Sequence, residues 1–178
     1  MEEKIFQYPN ISETAFSINL LGFNLNIQWY GLSYIAGILL AWLLMAKLVQ
    51  NKDLWFTGKS IIERSEVDDL ITYMIVGIII GGRLGYCLFY APSYYFDNPI
   101  RTIYVWEGGM SFHGGFLGVL ISGILFGMRK KVSLMSLGDL IAFASPPGLF
   151  FGRIANFING ELWGKPTNST FGIQFTKG

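Results

Sequence analysis

Four apolar stretches constrain this chain more than any other feature: Tyr30–Val49, Leu70–Ala91, Met110–Met128 and Leu137–Ile158. Each is close to the ~20 residues that cross a bilayer as a helix. The apolar residues are bunched rather than periodic, which argues against a soluble fold. The expected architecture is an all-α polytopic membrane protein. Residues 1–178 form a single membrane domain with about four transmembrane helices, near 30–49, 70–91, 110–128 and 137–158. A chain of 178 residues has room for about five spans at most.

Composition agrees and removes several function classes. Charged residues make up 14% of the chain, against about 25% in an average soluble domain. A formal charge of +1 argues against a basic protein that reads a phosphate backbone, so no nucleic acid is expected as a partner. A single cysteine, Cys87, rules out an internal disulfide and a Cys-cluster zinc site. A single histidine, His113, rules out a multi-histidine centre, and neither a metal nor a cofactor is expected. The 22 glycines suit close packing of membrane helices.

Loop charge sets the expected orientation. The first loop and its edge carry Lys47, Lys52, Lys59 and Arg64, and the third carries Arg129, Lys130 and Lys131. The N-terminal segment has only Lys4 and the second loop only Arg101; the tail has Lys165 and Lys177. The positive-inside rule puts the first and third loops in the cytoplasm and both termini outside. Glu2 and Glu3 at the start, with no small-residue cleavage site after the first span, argue against a removable signal peptide, so the chain is expected to stay anchored. Residues 1–29 then form an outer-side lead-in and 159–178 an outer-side tail. Within the lead-in, Ser17–Leu20 and Asn24–Gln28 alternate polar and apolar around Leu21-Gly22. That pattern predicts a small β-hairpin with one apolar face, with an irregular amphipathic lead-in as the alternative.

Two arginines, Arg83 and Arg153, fall inside apolar spans. An arginine at the bilayer centre costs at least ~2.5–3.5 kcal/mol on insertion scales and normally faces a cavity or a partner. Arg83 has a plain alternative, snorkelling or pairing with Glu107 or a headgroup. Arg153 is followed at i+3 by Asn156, then by Asn159 and Glu161, a cluster too polar to face lipid. In the expected topology Tyr30, Arg83, Tyr86, His113, Arg153 and Asn156 all fall in the outer half, whereas the cytoplasmic half embeds only Asp139. An arginine fork matches phosphate oxygens, and the nearest phosphate is a phospholipid headgroup. Glycines flanking His113 would admit backbone or lipid close to an imidazole suited to proton transfer.

Other signals are weaker. Gly82–Tyr86 echoes Gly152–Asn156, though five positions also match by chance in a glycine-rich chain. Gly81-Gly82-x-x-Gly85 lacks the preceding soluble strand that a dinucleotide site needs. Asn10-Ile11-Ser12 and Asn168-Ser169-Thr170 match a glycosylation acceptor that matters only in a eukaryotic secretory protein. Cys87 reads as a small packing residue.

Three blocks together carry a resemblance: Gly81–Tyr86, Trp106–Gly115 and Gly152–Gly164, preceded by Trp29-Tyr30-Gly31-Leu32. In order and spacing they closely resemble the prolipoprotein diacylglyceryl transferase family along essentially the whole chain. The resemblance implies a bacterial inner-membrane enzyme with its active site toward the outer leaflet and its lead-in in the periplasm. Its reaction moves the diacylglyceryl group of phosphatidylglycerol to the lipobox cysteine thiol of a prolipoprotein signal peptide and releases glycerol phosphate, the first step of lipoprotein modification. Carried over by position, Arg153 is the phosphatidylglycerol-binding arginine, with Arg83, Asn156 and Gly164 grouped around that ligand. His113, Tyr30, Asn156 and Glu161 are the catalytic candidates. His113 is either the base for the thiol, oriented by Tyr30, or a positioning group. The family continues through further spans holding a second functional arginine, so this chain is expected to be the front portion of a longer enzyme. A transporter or lipid flippase would need polar groups along the whole path. A plain scaffold would not gather them on one side.

Overall fold

The computed structural model of the protein describes residues 6–20, 23–169 and 171–175. In chain order its elements are β1 (Phe6–Gln7), β2 (Thr14–Leu20), β3 (Phe23–Gln28), α1 (Trp29–Gln50), α2 (Glu66–Phe89), α3 (Pro92–Asp97), α4 (Phe112–Lys130), α5 (Leu134–Ala144), α6 (Pro146–Asn159) and β4 (Ile173–Gln174). Short 3-10 turns lie at Lys52–Leu54, Pro99–Ile103 and Val105–Glu107. Among the described residues four helical stretches are long and apolar enough to cross a membrane: α1, α2, α4 and Leu134–Asn159. The expected all-α polytopic architecture is therefore present. The chain divides into two compact units, residues 42–144 and residues up to 41 together with those from 145.

The first of these units is built on glycine. Gly77, Gly81 and Gly85 recur every fourth residue along α2, as do Gly114, Gly118 and Ser122 along α4. The two rows face each other in antiparallel register. A methyl group on Gly81 would fall against Gly114 and Gly118, and one on Gly85 would come within 2.8 Å of the Gly114 Cα. Lipid gives no hydrophobic force between helices, so backbone-to-backbone packing of this kind supplies the attraction. At one end of the pair the Lys130 Nζ lies 2.9 Å from Glu66 and 3.3 Å from Asp69. At the other end the Ser111 N–H donates to the Gly82 carbonyl (2.9 Å). The Ser111 hydroxyl caps α4 by accepting from the Gly114 N–H at 3.2 Å. Val67, Leu70, Phe126 and Leu137 form the most deeply buried core, at the Lys130 end. There the Trp42 indole also donates to Asp68 (2.6 Å), with Arg64 stacked over its ring. Helix α2 starts before the expected Leu70 because Glu66, Asp68 and Asp69 sit in its first turn, where a helix favours negative charge.

In the second unit β2 and β3 form the expected antiparallel hairpin, and the irregular alternative is set aside. Phe16 pairs with Ile27 and Ile18 with Leu25 on one face, while Ser17 pairs with Asn26 on the other, joined by a 2.8 Å side-chain hydrogen bond. Leu21-Gly22, expected between the strands, lies outside the described residues. The hairpin runs directly into α1, whose Trp29 N–H donates to the Glu13 carbonyl (3.1 Å). The tail returns to this unit: β4 pairs with β1 in parallel, Phe6 with Ile173 and Gln7 with Gln174.

The fourth span, expected over 137–158, covers Leu134–Asn159 as two helices, α5 and α6, interrupted at Ser145. Pro146 and Pro147 have no N–H to give the last turn of α5, and Pro146 opens α6 in the position a proline favours. Ser145 itself keeps helical angles (φ −76°, ψ −34°).

Candidate functional site

The end of α6 is shaped by Gly160. With φ +66° it adopts the left-handed conformation that a side chain disfavours, and its N–H returns to the carbonyls of Asn156 and Phe157. The Glu161 N–H also donates to the Asn156 carbonyl (2.8 Å). This reversal turns Glu161–Gly164 back alongside the last turns of the helix. The result is a cavity of about 230 Å³ lined by Arg153, Asn156, Glu161, Trp163, Gly164 and neighbouring apolar residues.

Of the cluster read from the sequence, Arg153, Asn156 and Glu161 line this cavity and Asn159 does not; Gly164, which the resemblance added, lines it too. The Asn156 side chain is buried, at 8% exposure. The Arg153 guanidinium is exposed, and Nη1 donates to Asn156 Oδ1 at a long 3.5 Å. Among the described residues that is its one protein acceptor, so most of its donor fork is open to a ligand. The Asn159 amide donates to the Glu161 carboxylate at 3.3 Å.

Tyr30 belongs to the same unit but does not line the cavity; its ring meets Tyr34 edge-on at 5.0 Å. His113 and Arg83 lie in the other unit. His113 is the second residue of α4, exposed, with its ring edge-on to Phe112 at 5.7 Å. Its flanking glycines were expected to admit backbone or lipid, and Gly114 receives backbone, packing on Gly81 and Gly85 of α2.

Arg83 differs from Arg153 in every respect. It is 2% exposed. Its Nε donates to the Thr102 carbonyl at 2.9 Å and Nη2 to the Arg101 carbonyl at 2.7 Å. Nη1 donates to the Gly108 and Gly109 carbonyls, and Tyr95 stacks beneath the guanidinium. Glu107, the partner that the alternative reading offered it, pairs with Arg101 at 3.2 Å. The loop reaches Arg83 because Gly108 and Gly109 take φ of +82° and +78°.

Tyr8 was missed. It is buried at 4%, its hydroxyl donates to the Ile158 carbonyl, and its ring stacks on Phe175 (5.0 Å), which in turn stacks on Trp163 (5.8 Å). Tyr8 and the nearby Phe6 stand in a short segment with no periodic pattern that would single either out.

Fold and site together define a multi-pass α-helical membrane protein with a cavity at a helix end that sets an arginine, an amide and a carboxylate among apolar side chains. Comparison with known proteins narrows the class. The model of the family "Prolipoprotein diacylglyceryl transferase" matches residues 16–178. The chain is 49% identical over 168 residues to the phosphatidylglycerol–prolipoprotein diacylglyceryl transferase of Cereibacter sphaeroides, covering 94% of this chain and 57% of that protein. The like-named protein of Roseobacter denitrificans is 46% identical with the same coverage, and that of Rhizobium meliloti is 45% identical over 174 residues, 98% of this chain and 61% of the relative. This chain belongs to the prolipoprotein diacylglyceryl transferase family. It spans about 57% of the length of the first relatives it matches.

Proposed function

We propose that the chain carries the phosphate-holding portion of an enzyme that moves the diacylglyceryl group of phosphatidylglycerol to the lipobox cysteine of a prolipoprotein in the bacterial inner membrane. The relatives' shared name supplies the two substrates. The observation that carries the assignment of roles is the contrast between the two membrane arginines. Arg83 has its donors taken by four backbone carbonyls, whereas Arg153 stands open beside a buried amide.

In this reading Arg153 and Asn156 hold the headgroup phosphate and stabilise the charge that grows on it as it leaves. The cysteine thiolate attacks the glyceryl carbon that bears the phosphate ester. A carbon–sulfur bond forms, the carbon–oxygen bond breaks, and glycerol phosphate departs with the electron pair. The thiol proton goes to His113. Glu161 holds the reversal after α6 through Asn159, and Gly164 keeps the cavity wall free of a side chain. Arg83 is assigned to supporting the loop before α4 rather than to phosphate. The cavity opens toward the outer leaflet, with the N-terminus outside.

The test is incubation of the protein with phosphatidylglycerol and a lipobox peptide, read as the mass gain of a diacylglyceryl group. Arg153→Ala is expected to abolish that gain, and retained labelling removes the phosphate role. His113→Gln is expected to slow transfer and flatten its pH profile. An unchanged rate and profile would leave His113 as a positioning group only.

A further inference from the structure

A second cavity lies in the unit of residues 42–144, at the Glu66–Lys130 end of the α2–α4 pair. Along α2 it is about 26 Å from Arg83, at 1.5 Å per residue. Its volume is about 420 Å³, and it shares no lining residue with the Arg153 cavity. Val49, Ile61, Ile62 and Val132 give it an apolar floor, and Lys52, Lys59 and Ser60 stand on the loop side.

The charges around this cleft are unequal in their freedom. Both Glu66 oxygens are engaged, one by Lys130 at 2.9 Å and the other by the Glu63 N–H at 2.9 Å. The Glu63 carboxylate, also on the rim, accepts from the Ser65 hydroxyl at 3.5 Å. Lys130 is held between Glu66 and Asp69. Lys52 and Lys59 form no ion pair among the described residues.

The loop that carries these two lysines is pinned and turned outward. The Trp55 indole donates to the Leu48 carbonyl at 3.0 Å, and Asn51 caps the following turn through the Asp53 N–H. Leu54 is 61% exposed and Phe56 is fully exposed. Two unpaired cations over an apolar cleft, beside an outturned aromatic tip, match a phosphate at the membrane interface with acyl chains close by.

We propose that this cleft binds the phosphate of an anionic ligand, with Lys52 and Lys59 supplying the charge. A phospholipid headgroup and a soluble phosphate share that chemistry. A phospholipid would add a contact of its acyl chains with Phe56, exposed between the two lysines on the same loop.

Native mass spectrometry of the detergent-solubilised protein tests this, with phosphatidic acid, phosphatidylcholine and inorganic phosphate added separately. On an Arg153→Ala background, which removes the phosphate site proposed for transfer, phosphatidic acid is expected to form a one-to-one adduct that joint Lys52→Gln and Lys59→Gln substitution weakens about tenfold or more. If Phe56→Ser weakens phosphatidic acid but not inorganic phosphate, the ligand is a lipid. If inorganic phosphate binds through the two lysines and Phe56→Ser changes nothing, the ligand is soluble and the phosphate site stands. Phosphatidic acid bound equally with and without the two lysines on that background, or phosphatidylcholine bound as tightly, overturns the proposal. All four substituted side chains are exposed, and an unchanged melting temperature verifies that the variants fold.

Discussion

The Tyr8 hydroxyl donates to the Ile158 carbonyl, joining the start of the described chain to the last turn of α6. The same ring sits over Gly160, where a side chain would meet it at 3.6 Å. Tyr8 thus braces the reversal that forms the Arg153 cavity. Tyr8→Phe should cost about 1 kcal/mol of unfolding free energy, the usual value of one hydrogen bond. Tyr8→Ala should cost about 3–5 kcal/mol, because it also empties a buried site. Hydrogen exchange at 158–164 should rise in both variants. Unchanged exchange there would mean that the reversal stands without Tyr8.

The glycine row makes a prediction that motif reading does not. A methyl group on Gly118 would fall on the Gly77 carbonyl, and backbone has nowhere to yield. Gly118→Ala should therefore destabilise the protein by about 1–3 kcal/mol, the range for overpacking. Gly152 sits in the family-like block after α5, yet nothing lies within 4 Å of where its side chain would be. Gly152→Ala should leave stability unchanged or raise it by up to ~1 kcal/mol through helix propensity. Thermal unfolding in one detergent compares the two directly.

The residues that were legible in the sequence share a property: their pattern is local. The spans show as apolar runs, and the hairpin shows as alternation at Phe16, Ile18, Leu25 and Ile27. The Arg153–Asn156 pair follows from helical spacing. The break at Ser145 was present as Pro146-Pro147, but hydropathy does not register a missing N–H. The pairing of β1 with β4 joins residues 167 apart through strands of two residues, too short to carry any period. The sequence offered Arg83 a snorkelling alternative that Arg153 lacked, but not the partners of Arg83, which sit on a loop that the backbone angles of Gly108 and Gly109 bring to it.

Arg83 can be tested against its expected phosphate role. Lysine keeps the charge but has no planar fork, so Arg83→Lys should lose two or more carbonyl contacts, each worth about 1.5–3 kcal/mol to a charged donor. Amide exchange across 101–111 should accelerate, and the melting temperature should fall. A variant that kept both but bound phosphatidylglycerol less well would return Arg83 to the phosphate site.

Orientation is open to a direct measurement. Lys130 beside Glu66 sets the ends of the first and third loops at one end of the α2–α4 pair. Those loops carry Lys52, Lys59, Arg64, Arg129 and Lys131, whereas the second loop has only Arg101. The positive-inside rule then makes the Lys130 end cytoplasmic. Cys87, the sole cysteine, is buried, and Cys87→Ser gives a silent background. On that background Thr57→Cys reports the first loop and Ser93→Cys the second, both at exposed positions. A membrane-impermeant maleimide should label Ser93→Cys in intact spheroplasts and Thr57→Cys only in inverted vesicles. The opposite pattern would reverse the topology and carry the phosphate cleft of the first loop to the outer face.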